Sequence, residues 1–283
     1  MKVGMNLFLW TLELDDSMKP VLESLAETGY DGVEVPIFNT SIDYAAWGSY
    51  LDDLGLARTA VAVRGDADNP ASADPAIHRA AVAATNETLD CAAALGATAL
   101  VGPLHSALGV FSGAPPTAEE WSASVDVIQQ SCAHAESLGL ELGIEALNRF
   151  ECYLVNSQAD AARYVRDVGA PNCKVLYDTF HANIEEKDEA EAIRACAGEL
   201  GYVHISENDR STPGAGNVAW DDTFATFGEV GYDGWFIVEA FGQAMPDFAA
   251  ATKIWRPMFD SEEQLARDGL AFIKHKHAEH SGT

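Results

Sequence analysis

Cysteine is scarce and scattered: Cys91, Cys132, Cys152, Cys173 and Cys196 are the only five in 283 residues, and none forms a C-x-x-C pair. That excludes a disulfide framework and a thiolate zinc knuckle, and it suits a cytoplasmic enzyme with reduced thiols. Basic residues are few as well, 17 Lys and Arg against 44 Asp and Glu, for a formal net charge of −27. Polyanion binding needs clustered cations, so nucleic acid is not an expected partner, and the acidity reads as a solvated, self-repelling surface. No stretch approaches the roughly 20 apolar residues of a membrane span. The opening "MKVGMNLFLWTLELDD" puts a lysine before apolar residues but has no small-residue cleavage site, so it reads as a first strand rather than a signal peptide. No G-x-G-x-x-G follows that strand, which argues against an open dinucleotide-binding sheet. "PGAGN" (213–217) lacks the lysine and the strand–helix setting of a P-loop and reads as a flexible loop.

What is present is apolar sequence in short, regular portions. With 48% hydrophobic residues the chain can build a sizeable core. Eight β-rich runs recur: 3–9, 32–38, 58–63, 98–104, 141–147, 173–179, 202–206 and 235–241. Several are nearly continuous in apolar residues, as strands buried on both faces of a parallel sheet must be. Helical stretches separate them. "TAEEWSASVDVIQQSCAHAESLG" opens on Thr117 with Glu120 three residues later, a capping box, and "SQADAARYVRDVGAP" starts at Ser157 and stops at Gly169. "GYDG" recurs at 29–32 and 231–234, each time between a helix and a strand, as shared turn chemistry. Eight alternating units with no linker predict one α/β domain over 1–283, a (β/α)8 TIM barrel, with 275–283 expected to fray as a basic tail.

In such a barrel the chemistry lies at the C-terminal ends of the strands. "IEALNRFE" (144–151) sets Glu145 in a strand otherwise fit for burial, where a carboxylate is costly unless paired, hydrogen-bonded or metal-bound. Asp178, His204 and Glu239 end the next three strands at separations of 33, 26 and 35 residues, one βα unit each. Three carboxylates and one imidazole converging on one point form an oxygen-rich site for a divalent cation, Mn2+ or else Mg2+ or Co2+. Glu151, His181 and Arg210 follow at short offsets on the loops above. On these residues alone His181 also reads as a helix-start residue, and Arg210 as a partner of Asp209 or Glu207. His105 follows the fourth strand without an assigned role, His78 and His134 read as surface residues, and Trp220 as packing.

At "EALNRFE", "YDTFHANIEE", "HISENDR" and "GYDGWFIVEAF" the sequence resembles the ketose 3-epimerases of the D-tagatose and D-allulose (psicose) 3-epimerase family, members of the xylose isomerase-like barrels. The resemblance implies that Glu145, Asp178, His204 and Glu239 bind the metal, usually Mn2+. It implies that Glu151, His181 and Arg210 hold the O1–O2 end of a ketose, with Asn6 and Phe241 also against the substrate. Glu145 and Glu239 would then exchange the C3 proton from opposite faces through a cis-enediolate, in a homodimer or homotetramer. The first strand departs from the pattern, with Leu7, Phe8, Leu9 and Trp10 where the family carries more aromatics, and Leu14 where it carries a tryptophan. That leaves the preferred ketose open among tagatose, fructose, ribulose and others. Arg210 is the only strong cation placed at the mouth, so a free rather than phosphorylated sugar is expected. The competing reading is an aldose–ketose or hydroxypyruvate-type isomerase on the same barrel. A phosphodiesterase of the endonuclease IV type would want more histidine ligands and a basic surface.

Overall fold

A computed structural model describes residues 1–280. Eight parallel strands close into one barrel in sequence order, β1 (Lys2–Asn6), β2 (Gly32–Pro36), β3 (Ala57–Val61), β4 (Ala99–Gly102), β5 (Glu141–Glu145), β6 (Cys173–Asp178), β7 (Leu200–Ile205) and β8 (Trp235–Val238), with β8 returning to β1. Around it run α1 (Lys19–Thr28), α2 (Tyr44–Asp53), α3 (Pro75–Leu95), α4 (Ala118–Leu138), α5 (Gln158–Val168), α6 (Thr179–Glu185), α7 (Glu189–Cys196), α8 (Trp220–Glu229), α9 (Pro246–Thr252) and α10 (Glu262–His280). The helix signals operate as the sequence implies. Thr117 and Glu120 form the reciprocal cap of α4, while Gly96, Gly139 and Gly169 end their helices in the left-handed conformation that spares glycine a Cβ clash. Among the described residues no helix is long and apolar enough to cross a membrane.

The predicted strands run one to three residues too far at their C-terminal ends. Leu7–Leu9 form a 3-10 turn capped by the Asn6 side chain, and β8 stops at Val238. Most of the apolar runs continue into the loop because it packs over the barrel mouth and stays buried, as Leu7–Leu9, Leu104 and Leu147 do; Phe38 is exposed. Two apolar layers hold the fold. The larger lies between the barrel's outer surface and the helices; the smaller fills the interior with Val61, Val101, Leu176, Tyr202, Trp235 and Ile237. The crowded barrel leaves two strand positions to glycine. A Cβ on Gly143 would stand 2.7 Å from Val101 and 3.1 Å from Tyr202, and one on Gly32 would stand 2.2 Å from the Ala57 backbone carbonyl and 2.8 Å from Trp235.

The stretch expected to fray from His275 is helical within the described residues. α10 stays helical to His280, anchored by buried Ile273 and by Lys276, whose Nζ lies 2.6 Å from Asp221 on α8. Residues 281–283 of the expected tail lie outside the described residues. "PGAGN" is not loose either. The backbone N–H groups of Gly214, Asn217 and Val218, together with the Trp220 indole N–H, all donate to the fully buried carboxylate of Glu207 at 2.8–3.2 Å. Trp220 is thus more than packing: with the Asn208 N–H at 3.0 Å, five fixed donors satisfy a buried carboxylate.

Candidate active site

Alternation along the strands builds the site. Side chains two residues apart share a face, so each interior apolar residue is followed by an inward polar one nearer the mouth. Leu176 precedes Asp178, Tyr202 precedes His204, and Ile237 precedes Glu239, while Gly143 on β5 precedes Glu145. Asp178 and His204 stand level across β6 and β7. The ligand atoms of Glu145, Asp178, His204 and Glu239 all lie within 4.8 Å of one another, and all four residues are buried. The structure therefore brings together the four residues picked from spacing. His204 Nδ1 has no hydrogen-bond partner and faces Glu239 Oε1 at 3.4 Å, Asp178 Oδ2 at 3.6 Å and Glu145 Oε1 at 3.9 Å. Once deprotonated, that nitrogen aims a lone pair at the point where three carboxylates meet, which a divalent cation would satisfy, so the residues present fit a metal.

Arg210 reaches the cluster from the loop after β7. Its backbone takes a left-handed φ of 62°, a conformation a non-glycine residue adopts only when its surroundings enforce it. The Glu207 carbonyl accepts its N–H and the Phe241 N–H donates to its carbonyl. The guanidinium lies between the rings of Phe180 (3.8 Å) and Phe241 (4.4 Å), and its Nη1 contacts Asp178 at 3.2 Å, Ser206 at 2.9 Å and Glu239. It therefore partners the metal-site carboxylates, not Asp209 or the Glu207 side chain. His181 opens α6, whose cap is the Asp178 carboxylate. The Asn148 backbone N–H donates to His181 Nδ1 at 3.0 Å, which places the proton of the neutral ring on Nε2. That nitrogen lies 3.0 Å from Arg210 Nη2 and 3.6 Å from Glu145 Oε1. The guanidinium can only donate, so this contact is a hydrogen bond when Nε2 accepts; with the proton on Nε2 the two N–H groups lie side by side and an acceptor between them would satisfy both. Asn148, without a role in the sequence, also holds Glu151 through a 2.9 Å bond, whereas Arg149 turns outward to pair with Glu185.

A cavity of about 250 Å³ opens over these groups. Glu145, Glu151, His181, Arg210 and Glu239 line one side, and Phe8, Leu12, Phe38, Leu108, Phe241 and Phe248 line much of the rest. Asn6 is absent from this wall. Its amide nitrogen donates to Glu34 at 2.8 Å and to Glu239 at 3.4 Å, and its oxygen accepts from the Phe8 N–H, so it supports the site from beneath. Leu14 likewise belongs to the core rather than to the wall.

The family model of the xylose isomerase-like TIM barrel matches residues 22–276. A ketose 3-epimerase of Arthrobacter globiformis is 33% identical over 98% of this chain and 96% of its own length. An L-ribulose 3-epimerase of Mesorhizobium japonicum is 32% identical over 96% and 93%. The chain belongs to the ketose 3-epimerases of the xylose isomerase-like barrels. It is thereby a carbohydrate isomerase by family. Among solved structures, a Methylomonas D-allulose 3-epimerase in complex with D-allulose superimposes with a TM-score of 0.93 at 28% identity, covering 98% of this chain and 97% of the other.

Two buried groups of this ketose 3-epimerase, Glu34 and Thr59, escape the sequence, and His105 gains a role it lacked there. Glu34 accepts hydrogen bonds from Thr59 Oγ1 at 2.8 Å and from His204 Nε2 at 2.7 Å. His105 Nε2 meets the Glu145 carbonyl at 3.0 Å and so braces the end of β5, and burial pushes the ring down to about 4, keeping it neutral.

Burial also sets the charge state of the cluster. In the metal-free protein burial, then the Glu239 carboxylate, pushes Glu145 well above its ordinary value. Burial pushes Glu239 up to about 7 although Arg210 and His204 oppose it. For Asp178 burial loses to Arg210 and His181, which hold it below the usual carboxylate range. Burial alone would lower His204, but Glu34 and Glu239 raise it well above the ordinary histidine value. Burial lowers His181 to about 4. Groups raised on folding stabilise the folded state below their unfolded values and lose that contribution as pH rises through the folded ones. His105 and His181, lowered on folding, act the other way, and only below their unfolded value near 6.5. The melting temperature of metal-stripped protein is therefore expected to fall from about pH 6.5 to 8, and Mn2+, which competes with those protons, to reverse the fall. Differential scanning fluorimetry across that range checks this; a flat or rising metal-free profile contradicts it.

Proposed function

We propose that this enzyme inverts C3 of a free ketose by removing the C3 proton on one face and returning a proton on the other. The observation that carries the reading is the meeting, over one cavity, of two raised carboxylates and two converging donors. Glu145 and Glu239 rise from β5 and β8, three strands apart around the ring, so a sugar between them presents a different face to each. A carboxylate with a raised proton affinity can act as base on one face and, once protonated, as acid on the other. Arg210 Nη2 and His181 Nε2 converge on the place for the C2 oxygen, where fixed donors stabilise charge as it develops. Glu151 on the cavity wall would take a neighbouring hydroxyl, and Phe241 and Phe8 exclude water. Glu145, Asp178, His204 and Glu239 would hold a divalent cation, Mn2+ by the oxygen-rich donor set, supplying Lewis-acid polarisation of the carbonyl. Arg210 is the one cation on the cavity wall and is already paired with Asp178 and Glu239, which supports a non-phosphorylated substrate. The five free thiols fit a cytoplasmic setting, and exposed Phe38, Phe150 and Trp255 on the loops after β2, β5 and β8 fit a homodimer or homotetramer.

Incubation with D-fructose, D-tagatose and L-ribulose in D2O, with Mn2+ or with EDTA, tests the reading. Deuterium should enter at C3, with epimer formation, and only when metal is available. Deuterium at C1 alone would instead mark the aldose–ketose isomerase, and activity indifferent to EDTA would remove the metal from the proposal.

A further inference from the structure

Glu34 lies outside every role assigned above, yet it is fully buried in the barrel and both its oxygens are engaged. Oε1 accepts from His204 Nε2 at 2.7 Å and from Asn6 Nδ2 at 2.8 Å, and Oε2 accepts from Thr59 at 2.8 Å. A neutral imidazole, the form that binds a metal, carries its lone pair on Nδ1 when its Nε2–H is donated in this way. That is the nitrogen left without a partner, 3.4–3.9 Å from the oxygens of Glu239, Asp178 and Glu145. The Asn6 amide, fixed by the same carboxylate, reaches on to Glu239 Oε1 at 3.4 Å. One carboxylate on β2 thus touches one metal-site residue directly and a second through a single amide.

We infer that Glu34 is a positioning residue of the metal centre, fixing the tautomer and ring orientation of His204 and, through Asn6, the inner oxygen of Glu239. The inference rests on the metal reading of the four-residue cluster. Outer partners of this kind raise the basicity of the ligand they hold, and losing one costs roughly ten- to a hundredfold in metal affinity.

Isothermal titration of metal-stripped, full-length protein with MnCl2 measures this without relying on turnover. Glu34→Gln keeps an oxygen toward His204 and Asn6, and its new NH2 can face Thr59, whose hydroxyl can turn to accept. It should therefore fold with wild-type circular dichroism and bind Mn2+ about ten- to a hundredfold more weakly. A merely structural role would leave the affinity of the folded variant alone. Glu34→Asp, which withdraws the carboxylate by one methylene, is the second variant should the amide fail to fold, and it should weaken Mn2+ binding likewise. In a His204→Asn background Glu34→Gln should add less loss than it causes in wild type, because only the route through Asn6 to Glu239 is left. Equal affinity of the Glu34 variants and wild type, or full additivity with His204→Asn, overturns the inference while leaving the metal reading intact. A wild-type protein that takes up no Mn2+ overturns both.

Discussion

Glu239→Gln is expected to lower ketose epimerisation by about a thousandfold at saturating Mn2+, the middle of the range for losing a positioned general acid–base. The substitution is close to isosteric. Its amide oxygen can still accept from Arg210, which now contacts Glu239 from the loop after β7. Metal affinity should drop as well, since an amide is a poorer ligand, so turnover must be read with the site filled. The sharper signature is isotopic. Inversion needs both faces, but exchange of the C3 proton with solvent needs only one. With Glu145 intact, one C3 epimer should still wash deuterium in at C3 slowly while no inverted product accumulates. Glu145→Gln should show the same behaviour with the other epimer. Wild-type turnover of Glu239→Gln would remove it from the proton-transferring pair. Equal washing-in of both epimers would mean that a single base serves both faces.

Glu145 and Glu34 show how far the sequence could be read. Both are carboxylates inside apolar strands, in "GIEAL" and "GVEVP", and the same burial argument applies to each. Glu145 ends its strand, where barrel chemistry is sought; Glu34 is mid-strand and so falls one layer below the mouth. A search confined to strand ends passes over it, although its cost of burial asks the same question. Its answer lies 28 residues away in Asn6 and 170 residues away in His204, and no local pattern reports such pairings. Asn6 errs in the complementary direction. It does end β1, but alternation turns its amide inward and downward, onto Glu34.

Loops were read less well than strands, for a physical reason. Strand periodicity is local, whereas a loop's conformation depends on what satisfies its backbone. Asp209 and Glu207 adjoin Arg210 in sequence and look like its partners. The left-handed turn at Arg210 carries the guanidinium away from both, into the barrel mouth, while Glu207 collects the N–H groups of "PGAGN". The His181 donor and the Arg210 donor meet only because β6 and β7 are neighbours, so the spacing of "DTFH" and "HISENDR" became geometry through the closed barrel.

Arg210→Met should move activity and metal affinity in opposite directions. The side chain is buried between Phe180 and Phe241, so an apolar residue of similar length can occupy the space. Its charge, however, neutralises Asp178 and Glu239, which stand beside Glu145. Removing one member of a buried charge pair costs about 3–5 kcal/mol, because the other charge is left uncompensated. Metal-stripped Arg210→Met should therefore melt well below wild type, and more so at pH 8 than at pH 6, where protons can replace the lost cation. A divalent cation offsets the same carboxylates, so Mn2+ should bind more tightly than in wild type and restore a larger part of the melting temperature. Turnover should still fall by about a hundred- to a thousandfold, since the cation closes the site electrostatically but cannot replace the donor proposed for the C2 oxygen. Calorimetric titration with Mn2+, melting curves with and without it, and epimerisation at saturating metal separate these effects. If Mn2+ affinity falls together with activity, Arg210 is maintaining the geometry of the ligands rather than balancing their charge. If turnover survives, the C2 oxygen is held by His181 alone.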